Sequence, residues 1–425
     1  MTVSNLLEEA RRLAASDDLG GAEAKYYEII NGPRDQPQQQ TLTTNQLAEL
    51  EAAILELGKV YQTLDQMQQL VELIKQSRLV LGSFAKLKTS KIVKTLIEDF
   101  DTIPDSLDCQ ISATRECIDW AVESKLSFLR QLLQYKLAGV LYKKGIYQEA
   151  LKLINDLLLE YKKLDDKSSL VEVQLLESKI YHALRNIPKS KAALTSARTS
   201  ANSIFCPTLL QAELDCQSGT LNSEDGDYKT AFSYFYESFE GYNTQEDSRA
   251  IVVLKYMLLT KIMVNLIDDV NVIVKSKNAL KYQSKDIDAM KAIATAYSTR
   301  SLKDFELALA QYAVELKSDP IIKSHFNALY DNLLQQNLLK IIESYSCVEL
   351  SHISETVGLN LQQVEGKLSQ MILDKVFYGV LDQGNGWLIV YDEPKKGETY
   401  EASLDLVKNL SNAVELLYQK ASALN

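Results

Sequence analysis

Three histidines and five cysteines are the residues of this chain best suited to hold a metal or activate a nucleophile. His182, His325 and His352 each lack a second histidine one helical turn away, and Cys109, Cys117, Cys206, Cys216 and Cys347 keep irregular intervals. Neither HExxH, nor a CxxC pair, nor any Cys/His group at zinc spacing occurs. No GxxxxGK[ST] occurs either, and Gly384-Asn385-Gly386 joins one strand-like run to another, with no helix start on which to seat a phosphate. Carboxylates are plentiful, but nothing marks two of them as general acid and base. The expectation is a non-enzyme with no catalytic residue, metal site or cofactor. What chemistry remains is that of charged surfaces. Lys86, Lys88, Lys91 and Lys94 form one lysine run and Lys275, Lys277, Lys281 and Lys285 a second. Each could dock an acidic partner, the plainer reading being a solvated helix face.

The elements that would position such surfaces are helical. A chain of 425 residues with 46% apolar content can bury more than one core, and seven prolines and sixteen glycines are few for that length. No apolar run approaches the twenty or so residues of a membrane span, and the opening MTVSNLLEEARRL is acidic and amphipathic rather than a basic leader. The expectation is a soluble, unsecreted chain whose thiols are reduced and mostly buried. Helix pairs then repeat at about forty residues. Gln131 to Tyr161 is one copy, with Leu137, Ala138 and Leu141 before the turn Lys144-Gly145-Ile146 and Ala150, Ile154, Leu157 and Leu158 after it. Val171 to Ala201 is the next, turning at Asn186-Ile187-Pro188, and Leu210 to Phe239 turns at Gly226-Asp227. Weaker copies turn near Leu64-Asp65, across Asp101 to Asp108, and at Asp268-Asp269. Two stretches interrupt the pattern: Asn31 to Thr44, with Gln38-Gln39-Gln40, reads as an exposed loop, and Asp392 to Thr399 (DEPKKGET) as a polar hinge.

Glu343 to Asp392 has a different local grammar: a short strand at Cys347 and Val348, a helix from Ser351, a second from Asn360, then the strands VFYGVL and WLIVY around the Gly-Asn-Gly turn. Asn360 is placed to cap the second helix, with Gln363 as its reciprocal partner. Helix, helix and two-stranded wing make a winged helix. Seven acidic residues (Glu343, Glu349, Glu355, Glu365, Asp374, Asp382, Asp392) stand there against Lys367 and Lys375, a local charge of minus five that opposes phosphate binding. Together with a formal net charge of −11, this turns the reading from nucleic acid to protein contact, with Val348 and Val390 expected as sheet-edge contact positions. Beyond the hinge a last helix carries Tyr400, Val407, Val414 and Ala421 on one heptad position and Ser403, Leu410 and Leu417 on the other. A stripe of that kind wants other helices around it, so Val407, Leu410, Val414 and Leu417 are expected interaction residues, as are Lys86, Lys88, Lys91 and Lys94.

Helical repeats running into a winged helix resemble the PCI family. Four runs are similar to the long solenoid-bearing, non-ATPase subunits of the proteasome regulatory-particle lid within it. They are LINDLLLEYKKLDDKSSLVEVQLLESKIYHALRN (Leu153 to Asn186), KSKAALTSARTSANSIFCPTLLQAELDCQSG (Lys189 to Gly219), DYKTAFSYFYESFE (Asp227 to Glu240) and VEGKLSQMILDKVFYGVLDQGNGWL (Val364 to Leu388). The fold implied is an all-α, TPR-like right-handed helical solenoid (1–225), the helical part of a PCI domain (226–342), a winged helix (343–392), and a hinge with a C-terminal bundle helix (393–425). The resemblance implies a scaffold subunit of a hetero-oligomer in the cytoplasm and nucleus, with no nucleic acid or membrane as partner. Implied partners are other PCI subunits of the lid, the deubiquitinating metalloprotease, the ATPase ring and the outer ring of the proteolytic core. Signalosome and translation-initiation-factor subunits use the same module and are the rival assignments; a nucleic-acid-binding regulator is the alternative of another class.

Overall fold

In the computed structural model, which describes residues 3–15, 19–31, 44–81, 86–103, 106–282, 284–313, 316, 319–392 and 397–422, most residues are helical. The Gln-rich stretch and most of the hinge lie outside the described residues. The first compact unit comprises residues 1–226 and 240–245, the second 227–239 and 246–425. The first holds α1 (Val3–Ala15), α2 (Leu19–Asn31), α3 (Thr44–Thr63), α4 (Met67–Leu81), α5 (Lys86–Asp99), α6 (Leu107–Glu123), α7 (Ser127–Lys144), α8 (Tyr147–Leu164), α9 (Lys167–Ala183), α10 (Ile187–Asn202) and α11 (Thr208–Glu224). The division between the units falls within α12 (Tyr228–Thr244).

What ends these helices is regular. Lys125 (φ 53°), Gly145 (88°), Asp165 (52°) and Arg185 (58°) are left-handed and follow one another every twenty residues, half the repeat. At Gly145 the Ile146 amide donates to Leu141 O at 2.9 Å and the Gly145 amide to Tyr142 O at 3.1 Å, a pair of bonds that satisfies the last carbonyls of α7 and reverses the chain. The same pair recurs at Lys125 (Leu126 to Ala121, 2.9 Å; Lys125 to Val122, 3.1 Å) and at Arg185 (Asn186 to Tyr181, 2.9 Å; Arg185 to His182, 2.8 Å). Glycine takes this conformation freely, whereas the other three residues accept a cost of about 1–2 kcal/mol. The reversal expected at Asn186 therefore occurs one residue earlier. Asn186 instead caps α10, its side chain accepting the Lys189 amide at 3.3 Å ahead of Pro188, which suits a first helical turn.

Each repeat in this unit leans on its neighbours, because most of its helices are apolar on two sides. In α6, Cys117 and Ala121 join the core built from α1 to α5, while Ile111 joins the core of α7, α8 and α9. In α9, Leu170, Val173 and Ile180 face that second core and Val171 and Leu175 a third, shared with α10 and α11. Close approach is visible at Gly58, where a Cβ would stand 2.6 Å from Leu96 Cδ2 and 3.1 Å from Asp99 Oδ2. Any side chain at this position of α3 would have to displace the buried Leu96 of α5.

The second unit continues with α13 (Ala250–Met263), α14 (Ile267–Val274), α15 (Lys277–Leu280), α16 (Lys285–Thr299), α17 (Leu302–Gln311) and α18 (Pro320–Ile342). The turn expected at Asp268-Asp269 lies at Val264 to Leu266 instead. Asn265 is its left-handed residue (φ 65°), and both aspartates fall in the first turn of α14, where negative charge favours the helix start. Helix α13 is buried almost all round, and the buried Lys255 within it pairs with Asp319 and with Asp286, the latter at 3.7 Å.

The winged helix follows as β1 (Cys347–Glu349), α19 (Leu350–Val357), α20 (Leu361–Leu373), β2 (Tyr378–Asp382) and β3 (Trp387–Tyr391). The sheet runs β1-β3-β2, wholly antiparallel, with Val348 opposite Leu388 and Val380 opposite Ile389. Val364, Leu368 and Met371 of α20 are buried, as the one-turn spacing requires. Asn360 stands at the expected N-cap position with extended backbone (φ −65°, ψ 141°), but its side chain makes no capping bond. The tight turn between β2 and β3 owes as much to Asp382 as to glycine. Its Oδ1 accepts the Gly384 and Asn385 amides at 3.1 and 3.3 Å, and Asn385 Nδ2 donates to Oδ2 at 2.9 Å. These bonds hold the Asp382 carboxyl below the usual carboxylate range. A further helix, α21 (Glu398–Ser422), follows the wing. Among the described residues no helix is long and apolar enough to cross a membrane.

Candidate functional site

Among the described residues no three His, Cys, Asp or Glu side chains are placed to hold a metal ion. His182 lies 3.7 Å from Glu224, His325 is buried edge-on to Tyr228, and His352 is exposed on α19. All five cysteines are free, and burial pushes the Cys117 thiol up to about 11, away from reactivity.

Among the described residues, α21 carries a long row of exposed apolar side chains. Val407, Leu410, Val414 and Leu417 are 58–68% exposed, and Tyr400, Leu404, Leu406 and Leu416 are exposed beside them. Every described side chain of the helix is exposed, so among the described residues nothing covers its stripe. Fully burying one such side chain would stabilise by about 1.5–3 kcal/mol.

The wing is arranged differently from what its sequence suggested. Val390 lies on β3, the central strand, its amide donating to Ser346 O at 2.9 Å and its residue pairing with Gly379, so it offers no free sheet edge. Val348 does lie on an edge strand, but its side chain is buried in the domain's own core. The exposed face is the alternate one. Trp387 (45% exposed) and Tyr391 (54%) share it with Val380 (51%) and Cys347 by cross-strand register. The run WLIVY hid this, because a continuous apolar strand reads as covered on both sides. Of the two basic residues in the domain, Lys367 is held by Asp331 at 3.0 Å.

The first lysine run is partly neutralised within the chain. Lys88 reaches Glu51 of α3 at 2.8 Å, Lys94 stands 4.0 Å from Glu98, and Glu98 also pairs with Lys136 of α7. Lys91 is exposed on α5; Lys86 opens that helix, its side chain outside the described residues. Burial is the larger influence on Lys136 and lowers its pKa, opposed by the Glu98 bond. The carboxylates of α3 and α5 thus turn part of this run into a structural tie between helices.

Family models match three parts of the chain: the 26S proteasome regulatory subunit RPN6 N-terminal domain at residues 3–144, the PCI domain at 309–392, and the 26S proteasome subunit RPN6 C-terminal helix domain at 398–422. The chain is 55% identical over 426 residues to 26S proteasome regulatory subunit RPN6 of Saccharomyces cerevisiae, covering 98% of each. It is 49% identical to the probable 26S proteasome regulatory subunit rpn6 of Schizosaccharomyces pombe, covering 100% of each. It is 48% identical to 26S proteasome non-ATPase regulatory subunit 11 of Dictyostelium discoideum, covering 88% of this chain and 91% of that one.

Proposed function

The chain belongs to the family of the 26S proteasome regulatory subunit RPN6, and we propose that it acts as a non-catalytic scaffold of the proteasome lid, holding lid, ATPase ring and proteolytic core together during ubiquitin-dependent degradation. The observation that carries this reading is the uncovered stripe of α21, an amphipathic helix built for other helices. The exposed Trp387 face of the wing gives a second contact surface close by in sequence, and the helical repeats of the first unit a third. In this reading the wing and α21 meet other PCI subunits and the deubiquitinating metalloprotease. The first unit meets the ATPase ring and the outer ring of the core, in cytoplasm and nucleus. Relatives named as proteasome subunits over nearly the whole chain favour this over a signalosome or initiation-factor role.

Two truncations test it in reconstituted particles analysed by native gel. Removing 398–422 is expected to leave the rest folded and to prevent entry into the lid. Removing 1–100 is expected to permit entry while weakening attachment of lid to ATPase ring and core. Normal incorporation of the first truncation, or full attachment with the second, would overturn the assignment.

A further inference from the structure

The two lysine runs look alike in sequence and differ in the fold. Lys275, Lys277, Lys281 and Lys285 lie between the end of α14 and the start of α16, and all four side chains are exposed. Among the described residues none of the four is in an ion pair, whereas Lys88 and Lys94 of the other run both reach carboxylates of the chain. Carboxylates do lie near the second run, but other cations hold most of them: Asp269 is bound by Lys261 at 2.8 Å, Asp288 by Lys291 at 2.8 Å and Asp286 by the buried Lys255 at 3.7 Å. Asp247, whose charge is felt at Tyr282 together with that of Glu246, is held by Arg249 at 2.8 Å. Asp268 is exposed at the far end of α14. The same segment exposes two large apolar side chains, Val272 (70%) and Leu280 (49%).

Four like charges within eleven residues, on a chain of net charge −11 and in no ion pair among the described residues, make a local positive field, with the exposed carboxylates Glu246 and Asp268 at its margin. We propose that this surface is a docking site for an acidic segment of another protein subunit, its carboxylates meeting the four lysines and an apolar residue covering Leu280 or Val272. Nucleic acid fits less well. A long polyanion is repelled by the acidic body and gains nothing from exposed leucine and valine, whereas a short acidic segment meets only the local field.

The inference rests on the chain's residence in a proteasome regulatory particle, and the test is made on that particle. Lysine acetylation by a limiting amine reagent is followed by mass spectrometry on the free chain and on the assembled particle. Carbodiimide coupling then joins lysines to carboxylates in contact. The four lysines are expected to react at least fivefold more slowly in the particle, and at least one is expected to couple to an Asp or Glu of a different polypeptide. Reversing all four (K275E, K277E, K281E, K285E) should lower retention of that polypeptide at least tenfold, while K303E and K323E on other exposed lysines of the second unit leave it within twofold. Unchanged reactivity, coupling only within the chain, or protection that disappears after nuclease treatment would each overturn the proposal. A chain that enters the particle with the four lysines still reactive counts against this surface alone; a chain found in no particle sinks the scaffold reading as well.

Discussion

Helices α10 and α21 both carry apolar residues at one-turn spacing, and they finish in opposite surroundings. Ala193, Leu194, Ala197 and Ala201 of α10 are buried, although three of the four are alanines. Val407, Leu410, Val414 and Leu417 of α21 are larger and all exposed. Side-chain size does not separate them; connection does. A three-residue turn, Leu184 to Asn186, folds α10 back on α9, and antiparallel neighbours so joined cover each other's stripes. Among the described residues α21 has no such neighbour. Periodicity shows that a helix has an apolar side, and the chain's connections decide whether its own residues supply the cover.

The sharpest test of this contrast exchanges the consequences of substitution. Leu410→Asp with Leu417→Asp should reduce co-assembly with lid subunits about a hundredfold or more, since buried anchors at interfaces carry about 2 kcal/mol or more each. The thermal midpoint of the isolated chain should hardly move. Ile180→Ala in α9, where the side chain is fully buried, should do the reverse. Its expected cost is about 2–5 kcal/mol of stability, read by denaturant unfolding. A chain melted by the α21 substitutions, or indifferent to Ile180→Ala, would break the comparison.

Glycines sharpen it on a smaller scale. Gly58→Ala must displace Leu96, and overpacking of this kind costs about 1–3 kcal/mol. Gly139, inside α7, has nothing within 4 Å of its would-be Cβ, so Gly139→Ala should stabilise by about 0.5–1 kcal/mol through the helix alone. Opposite signs from one chemical change would show that close helix approach is confined to particular crossings. Equal signs in urea unfolding would refute that.

Much of this architecture is legible in the sequence because it rests on local rules. Gly145 and Gly226 mark reversals, the WLIVY strand ends where its apolar run ends, and the stripe of α21 is visible as heptads. The parts that escaped depend on partners far along the chain. Arg185 and Lys125 take left-handed turns although neither residue type favours that conformation, so no residue preference signals them. Val390 read as an edge position because strand order is set by β1, which lies about forty residues earlier. The two lysine runs are told apart by Glu51, which lies on α3 far in sequence from Lys88.

Burial of a carboxylate separates the regions in pH dependence, the smallest of the expected effects. Asp99 ends α5 in the packed first unit, its Oδ2 buried without a hydrogen-bond partner. Burial raises its pKa, opposed by Lys59 and Lys136 and reinforced by Glu98. A raised folded-state pKa means that the native chain binds this proton more tightly than the unfolded chain, whose Asp titrates near about 3.9. Stability must then fall as pH rises from about 4 through the folded value, and the penalty is complete at neutral pH. Asp99→Asn should therefore raise the thermal midpoint at pH 7, with an advantage that vanishes near pH 3, where the native carboxyl is already protonated. Asp405→Asn on the exposed α21 should change stability by less than about 0.5 kcal/mol. A gain from Asp99→Asn that persists undiminished at pH 3 would place its origin in packing against Gly58 and Leu96 rather than in the buried charge.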